Sequence, residues 1–166
     1  MADLLVVVPT RGRPSSVVPI VEAWNVTGSW DDAELLFVAD ADDPTLPAYR
    51  EALACAPLAD RLVGAAVRLM VADRWQPLVP KLNEAVAGFV DDYFAIGFAG
   101  DDHRPRSASW ARTMVAALAD MGTGVVYGND LLQGKRLASS WVMTSDIVRT
   151  LGRMVPAPVE IGRAHV

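Results

Sequence analysis

The feature that most constrains the fold is a run of five apolar residues, Leu4-Leu5-Val6-Val7-Val8, near the start of the chain. Successive side chains of a β-strand point to opposite faces of the sheet, so a strand without polar alternation must be buried on both faces. The valines are β-branched, which favours a strand over a helix. The run therefore predicts a strand inside a parallel sheet that is covered on both sides.

Segments of this kind alternate with helix-like segments along the chain. Further strands are predicted at 35–39, 67–71, 93–98, 124–127 and 138–143. Helices are predicted from Ser15 or Ser16 to Trp24 and at 46–55, 77–90 and 107–121. Strands that alternate with helices build a parallel sheet with helices on both faces. The predicted fold class is α/β, with a Rossmann-like sheet.

The amino-acid composition limits the number of domains, the kinds of molecule that the protein can bind and the compartment that we expect for it. The 166 residues suit one domain, and a net charge of −5 without basic runs argues against a nucleic-acid partner. A single cysteine, Cys55, excludes an intrachain disulfide. The first residues are acidic and lack the positively charged segment with which a signal peptide begins. No apolar run is long enough to cross a bilayer. We expect a cytoplasmic protein with no integral membrane segment.

Polar clusters follow three of the predicted strands, at residues 9–13, 40–43 and 101–103. In open α/β sheets, ligands bind outside the carboxyl ends of the strands. These clusters are distant in sequence, but each lies at such an end. We therefore expect them to converge into one site.

The first cluster contains Pro9, Thr10, Arg11, Gly12 and Arg13. Arginine matches phosphate geometry through paired N–H donors, and a glycine lets the backbone approach a ligand closely. The N-terminus of the following helix adds a positive dipole end. These features predict contacts to a nucleotide phosphate. The alternative is an ordinary solvated turn with two surface arginines.

The second cluster offers the carboxylates of Asp40, Asp42 and Asp43. A carboxylate at a strand end can accept the imide N–H of a uracil-like base or bind a ribose hydroxyl. The alternative is a turn-forming acidic loop, because aspartate and proline favour turns. Lys81, one turn into the third helix, could reach the same nucleotide, and a solvated position is the alternative for it.

The third cluster, Asp101-Asp102-His103, follows a buried strand and a glycine. Two carboxylates form a hard oxygen site that suits Mg²⁺ or Mn²⁺, which keep water ligands and share the rest with substrate phosphates. His103 could supply a nitrogen ligand or contact phosphate. The alternative is a helix-start signal ahead of Pro105. The position at a strand end favours the metal site.

Taken together, these segments resemble the family 2 glycosyltransferases of the GT-A fold. The resemblance rests on the opening Val-Val-Val-Pro-Thr-Arg-Gly-Arg-Pro at 6–14, on the strand that ends at Asp40, and on Gly100-Asp101-Asp102. It covers roughly residues 4–150. It implies a UDP- or GDP-sugar donor, a divalent metal (Mn²⁺ or Mg²⁺), an acceptor of unknown identity, and a glycosyltransferase reaction.

The resemblance also implies roles for individual residues. Asp40 would contact the base, and Asp101 and Asp102 would hold the metal and the ribose or sugar. The sequence departs from the family at Asp40-Ala41-Asp42-Asp43-Pro44, where Asp-Asp-Gly-Ser is common, and at Asp101-Asp102-His103, where Asp-x-Asp is usual. No segment before Val159 matches the family's catalytic base, so that residue is unassigned.

The last seven residues, 160–166, match an in-frame translation of a common sequencing-library adapter. We therefore expect a donor-binding domain over 1–159, followed by a non-native tail, with the native gene continuing past Val159. Such a truncated domain would bind the donor without transferring the sugar. It would also expose apolar surface near 142–155, at the end of an incomplete sheet.

Three other functions fit parts of the sequence. In a haloacid-dehalogenase-type phosphatase, Asp40 and Asp42 would form the Asp-x-Asp motif that follows a strand. Lys81 would be the lysine of that family's site, and the carboxylates at 101–102 would be the acidic pair that comes later in the chain. A sugar-nucleotide pyrophosphorylase shares a similar sheet, but its glycine-rich opening loop is missing. A non-catalytic nucleotide-binding module would keep the sheet and bind the donor without transfer.

Overall fold

The architecture comes from a computed structural model that describes residues 2–56, 66–129, 131 and 136–156. The strands are β1 (Leu4–Pro9), β2 (Ala33–Asp40), β3 (Val67–Ala72), β4 (Ala95–Phe98), β5 (Val125–Tyr127) and β6 (Trp141–Thr144). The helices are α1 (Val17–Thr27), α2 (Leu46–Cys55), α3 (Leu78–Ala87), α4 (Trp110–Met121) and α5 (Ser145–Leu151), and a 3-10 turn (Pro14–Ser16) precedes α1. The expected tail at 160–166 and the end of the expected domain lie outside the described residues.

The six strands form one sheet in the order β3-β2-β1-β4-β6-β5. The first four are parallel, and β1 is central, with Val6 beside Leu35 of β2 and Gly97 of β4. Strand β6 runs antiparallel to both β4 and β5. The prediction of an α/β sheet is confirmed, whereas the expectation of an entirely parallel sheet is wrong at β6.

Both faces of β1 are buried, as its unbroken apolar run predicts. Leu4, Val6 and Val8 belong to one core cluster, while Leu5 and Val7 belong to another. The first cluster takes its helical side chains from α1, α2 and α4, and the second takes them from α3 and α5. The helices are therefore split between the two faces, and the polar ends of the strands are left at the edge.

The predicted exposure near 142–155 is largely wrong. Val142, Val148 and Met154 are almost fully buried, because β6 lies inside the sheet and α5 covers one of its faces. Within this stretch Leu151 is exposed, at 57%, and in the outer strand β5 Val125 and Tyr127 are each 45% exposed.

Within the described part of the chain, no helix has the length and apolar character needed to cross a bilayer. The longest, α4, has 12 residues, whereas a transmembrane helix needs about 20.

Candidate functional site

The loop after β1 is held in a fixed shape by its neighbours. The Thr10 amide donates to the Val38 carbonyl at 2.9 Å, which extends the pairing with β2 by one residue. Gly12 has a left-handed backbone with φ of 67°, a region that favours glycine. Its amide donates to Asp43 Oδ2 at 2.8 Å. The segment between β2 and α2 thus shapes the arginine-bearing loop.

A buried tyrosine from α2 makes a further contact with this loop. The Arg13 amide donates to Tyr49 Oη at 2.7 Å, and Tyr49 Oη lies 2.8 Å from Thr10 Oγ1. Tyr49 has no exposed surface. Nothing in the sequence around Tyr49 marks it as a site residue, because its burial, which obliges the hydroxyl to find a partner, follows from tertiary packing.

Asp40, at the end of β2, is fully buried and lies between two cations. Arg11 Nη1 donates to its Oδ2 at 3.0 Å, and Lys81 Nζ lies 2.7 Å from its Oδ1. Lys81 is only 6% exposed, so the alternative of a solvated lysine is wrong. Both oxygens of Asp40 are therefore engaged within the protein.

Arg11 also joins the first cluster to Asp42. Its Nη1 lies 2.8 Å from Asp42 Oδ1, and this pair is exposed to solvent. The hydrogen bonds that Arg11 donates to Asp42 and Asp40 raise the pKa of Arg11, and the bond to Asp42 lowers the pKa of that carboxyl. Both groups therefore stay charged at neutral pH.

At the end of β4, residues 100–103 form a tight turn in which the His103 amide donates to the Gly100 carbonyl at 3.0 Å. Asp101 points into the protein. Its Oδ2 accepts from Thr10 Oγ1 at 2.9 Å, and its Oδ1 accepts from Arg13 Nη1 at 3.0 Å. The β1 loop and the acidic turn are thus joined directly, although 91 positions separate Thr10 from Asp101.

Asp102 and His103 have a different environment. The Asp102 side chain is 73% exposed, and its Oδ1 lies 3.7 Å from His103 Nε2. The Gly100 amide donates to His103 Nδ1 at 3.1 Å, which orients the ring. A Cβ at Gly100 would lie 2.7 Å from Asp102 Oδ1, so the carboxylate occupies space that only glycine leaves open.

Arg104 anchors the acidic turn from behind. Its Nη1 donates to the carbonyls of Asp101 at 3.1 Å and of His103 at 2.9 Å. Burial lowers the pKa of Arg104, although Asp102 and Asp101 act in the opposite direction. Sequence reasoning missed this residue, because a backbone contact leaves no motif.

A divalent cation at this turn would be only partly held by protein. Among the described residues, no three His, Cys, Asp or Glu side chains are grouped as metal ligands. The exposed carboxylate of Asp102 offers one free donor, while the oxygens of Asp101 are already engaged. Because His103 Nδ1 accepts the Gly100 N–H, the neutral ring carries its proton on Nε2, so His103 as placed offers a hydrogen-bond donor and not the predicted metal ligand. Mg²⁺ and Mn²⁺ accept so few protein ligands, because water and substrate phosphates complete their coordination.

An open cavity of about 260 Å³ lies in front of the converging loops. Its lining includes six of the predicted residues, namely Pro9, Thr10, Arg11, Arg13, Lys81 and Asp101. Trp75 and Leu78, about half exposed, line the same cavity. Asp40, Asp42, Asp102 and His103 are not among its lining residues. A larger groove of about 410 Å³, lined by residues of α3 and α5, contains none of the predicted residues.

The geometry argues against the phosphatase alternative. That reaction needs an aspartate nucleophile which can reach the phosphorus atom of its substrate. Asp40 has no exposed surface and is bound by two cations. A buried, doubly paired carboxylate is a poor nucleophile.

Neither a protein-family model nor a curated protein matches the chain in sequence. Solved structures do match. The mannosyltransferase PcManGT from Pyrobaculum calidifontis, in complex with GDP-Man and Mn²⁺, gives a TM-score of 0.69 at 17% identity, over 96% of this chain and 48% of that one.

Two further structures are similar. TarS 1-349 from S. aureus gives a TM-score of 0.61 at 12% identity, over 94% of this chain and 50% of that one. A putative nucleotide-diphospho-sugar transferase from Desulfovibrio desulfuricans G20 gives 0.55 at 12% identity, over 88% and 65% of the two chains. TarS 1-349 also matches in its complexes with UDP-GlcNAc and with UDP.

These similarities show the fold, which is the GT-A type of nucleotide-diphospho-sugar transferases, as the sequence predicts. The chain spans about half the length of PcManGT and of TarS 1-349. Function does not follow from fold alone and has to be argued from the site.

Proposed function

We propose that this chain binds a nucleoside-diphosphate sugar, and that the whole protein is a glycosyltransferase that uses a divalent metal. The observation that carries the proposal is the convergence of Thr10, Arg11, Arg13, Lys81 and Asp101 around one cavity at the carboxyl edge of a GT-A-type sheet, with Asp102 and His103 next to Asp101 in the same turn. Bound nucleotide sugars in PcManGT and TarS structures support the same class of donor.

The cations of the site would take different parts of the donor. Arg13, whose side chain is 63% exposed, lies at the cavity and would contact the diphosphate. Arg11 and Lys81 also line the cavity and can offer their remaining N–H donors to base carbonyl oxygens. A direct contact between Asp40 and the base requires that the base replaces one of these two cations.

Asp102 would hold the metal, with water and the donor phosphates as its other ligands, and His103 would contact a phosphate oxygen through its Nε2–H. A Mn²⁺ or Mg²⁺ ion there would supply Lewis-acid stabilisation of the negative charge on the diphosphate. Asp101 would have a different role in the same turn. Its side chain is hydrogen-bonded to Thr10 and Arg13, and these contacts fix the turn to the β1 loop. The protein thus divides anchoring and metal binding between adjacent carboxylates.

The test is calorimetric titration of GDP and of UDP into the protein, in Mn²⁺ and in EDTA. Asp102→Asn is compared with Asp91→Asn. Asp91 has an 83% exposed side chain and precedes β4, at the opposite end of that strand. We expect binding in Mn²⁺ that weakens by about tenfold or more in EDTA and in Asp102→Asn. Asp91→Asn should bind like the wild type.

Two results would refute the proposal. One is a folded wild-type protein, judged by circular dichroism, that binds neither nucleotide. The other is nucleotide binding that is indifferent to both EDTA and Asp102→Asn, which would remove the metal role. Binding without sugar transfer in the whole protein would favour the non-catalytic module.

A further inference from the structure

We propose that Tyr49 is a positioning residue of this site, which orients the side chain of Asp101 in the acidic turn through the β1 loop. The inference rests on the proposed function and names a residue that would determine its geometry. Tyr49 does not line the cavity itself, and it is hydrogen-bonded to two residues that do, Thr10 and Arg13. Its influence on a ligand is therefore indirect.

Counting donors fixes the direction of the hydrogen bonds. The Arg13 amide can only donate, so Tyr49 Oη accepts from it. Thr10 has one hydroxyl proton and donates it to Asp101 Oδ2. Thr10 Oγ1 must then accept from the Tyr49 hydroxyl. The result is a one-way chain from the Arg13 amide through Tyr49 and Thr10 to Asp101.

This chain leaves Asp101 little freedom. Its Oδ2 is bound by the hydroxyl that Tyr49 orients, and its Oδ1 is bound by the side chain of Arg13, whose amide Tyr49 holds. Both side-chain contacts of Asp101 thus come from residues that Tyr49 contacts. With Asp101 turned inward, the next residue, Asp102, presents its carboxylate to solvent.

The chain contains a second buried tyrosine that serves as a matched control. Tyr93 is 7% exposed, and its hydroxyl donates to Glu34 Oε2 at 2.7 Å and accepts from Arg68 Nη2 at 2.5 Å. Like Tyr49, it makes one donated and one accepted hydrogen bond. It precedes β4 and contacts the first residues of β2 and β3, so it lies at the opposite edge of the sheet.

The experiment compares Tyr49→Phe with Tyr93→Phe in the full chain. Amide hydrogen exchange is measured for Arg13 and His103, and GDP or UDP is titrated in Mn²⁺. Both variants should lose comparable stability, because each removes two buried hydrogen bonds. Only Tyr49→Phe should speed exchange at both amides and weaken nucleotide binding, each by about tenfold, as expected for losing one buried contact.

The outcomes separate this inference from the proposed function. Unchanged exchange at Arg13 and His103 in Tyr49→Phe overturns the positioning role, whatever the nucleotide does. If the wild type binds no nucleotide while Tyr49→Phe loosens both amides, the proposed function fails and the positioning role stands. If Tyr93→Phe weakens nucleotide binding as much as Tyr49→Phe does, the effect of Tyr49 on binding reflects only the stability of the protein. The positioning role would then be wrong.

A second variant keeps the test decisive if Tyr49→Phe does not fold. Thr10→Val cuts the same chain one step nearer to Asp101 and leaves Tyr49 Oη available to the Arg13 amide. It should speed exchange at His103 but leave Arg13 protected. Faster exchange at Arg13 alone would contradict the chain.

Discussion

The ends of β2 and β4 look alike in sequence and differ in structure. Each presents adjacent carboxylates directly after a buried strand. At the β2 end, Asp40 and Asp43 are buried, and both are bound by groups of the protein. At the β4 end, Asp101 is bound in this way, but Asp102 is largely exposed and lies beside His103.

The difference shows how one type of residue can serve architecture and ligand binding at the same edge of a sheet. A buried carboxylate needs partners of its own, because an unpaired buried charge is very costly. Once Asp40 and Asp43 are paired, they fix Arg11, Lys81 and the Gly12 loop. Asp102 keeps its solvent contact and remains available to a cation. Substitutions should therefore lower stability at the β2 end and affect binding at the β4 end.

The largest loss of stability is expected for Asp40→Ala. The change leaves the buried ammonium group of Lys81 without its carboxylate, which costs about 3–5 kcal/mol in similar buried pairs. Urea unfolding would measure the loss. Asp42→Ala, in the exposed pair with Arg11, is the control and should unfold close to the wild type.

The double variant Asp40→Ala/Lys81→Met sharpens this result. It removes both charges of the pair, so it should regain part of the stability that Asp40→Ala loses. If Asp40→Ala unfolds at the same urea concentration as Asp42→Ala, the buried carboxylate at the β2 end does not stabilise the fold more than the exposed one. The proposed contrast between the two strand ends would then be wrong.

A smaller, pH-dependent loss is expected for Asp43→Asn. Burial alone would raise the pKa of Asp43, but hydrogen bonds from the Thr45 hydroxyl and from the Gly12 and Thr45 amides outweigh it and lower that pKa. An asparagine amide must face one of these donors, so the variant should lose about 1–3 kcal/mol at pH 7.

The sign of the pH dependence follows from the lowered pKa. The contribution of Asp43 is complete above the unfolded value of about 3.9 and is lost as the pH falls through the folded value. The gap between wild type and Asp43→Asn should therefore be constant from pH 7 to 5 and shrink below about pH 4. Urea midpoints along a pH series measure it, and a gap that widens in acid would contradict the assignment.

The smallest effect on stability is expected for Gly100→Ala, which probes the β4 end. The new Cβ would meet the flexible carboxylate of Asp102, which can move at little cost. The unfolding free energy should change by less than about 0.5 kcal/mol, while Mn²⁺-dependent nucleotide binding weakens. Gly88→Ala, which meets nothing within 4 Å, is the control. Unchanged binding in Gly100→Ala would show that the position of Asp102 is not critical.

Much of this fold was predictable because it is encoded locally. The apolar runs of β1 and β2 end at Pro9 and Asp40, as the sequence predicts. The convergence of the three clusters followed from the parallel direction of their strands. The antiparallel direction of β6 was not predictable, because an apolar run has the same pattern in either direction. Helix α5, with seven residues, is too short for its periodicity to be read.

The partners within the site were harder to predict. Lys81 borders the apolar stripe of α3, and its burial depends on Asp40, which lies 41 positions earlier in the chain. Tyr49 has the sequence context of an ordinary helical core residue. Its hydroxyl contacts depend on how α2 packs against the turn before α1. Sequence patterns identify which residues carry chemistry, whereas tertiary packing decides which of them remain free to use it.

The central position of β1 has a consequence for the growing polypeptide. One edge of β1 pairs with β2, which follows soon after it, but the other edge must wait for β4, whose last residue is Phe98. Ribosomes add about 5–20 residues per second, so this wait lasts on the order of ten seconds. During that time the most apolar strand of the nascent chain has an open edge. Chaperone supply during synthesis should therefore influence the yield of folded protein more than it influences the stability of the finished molecule.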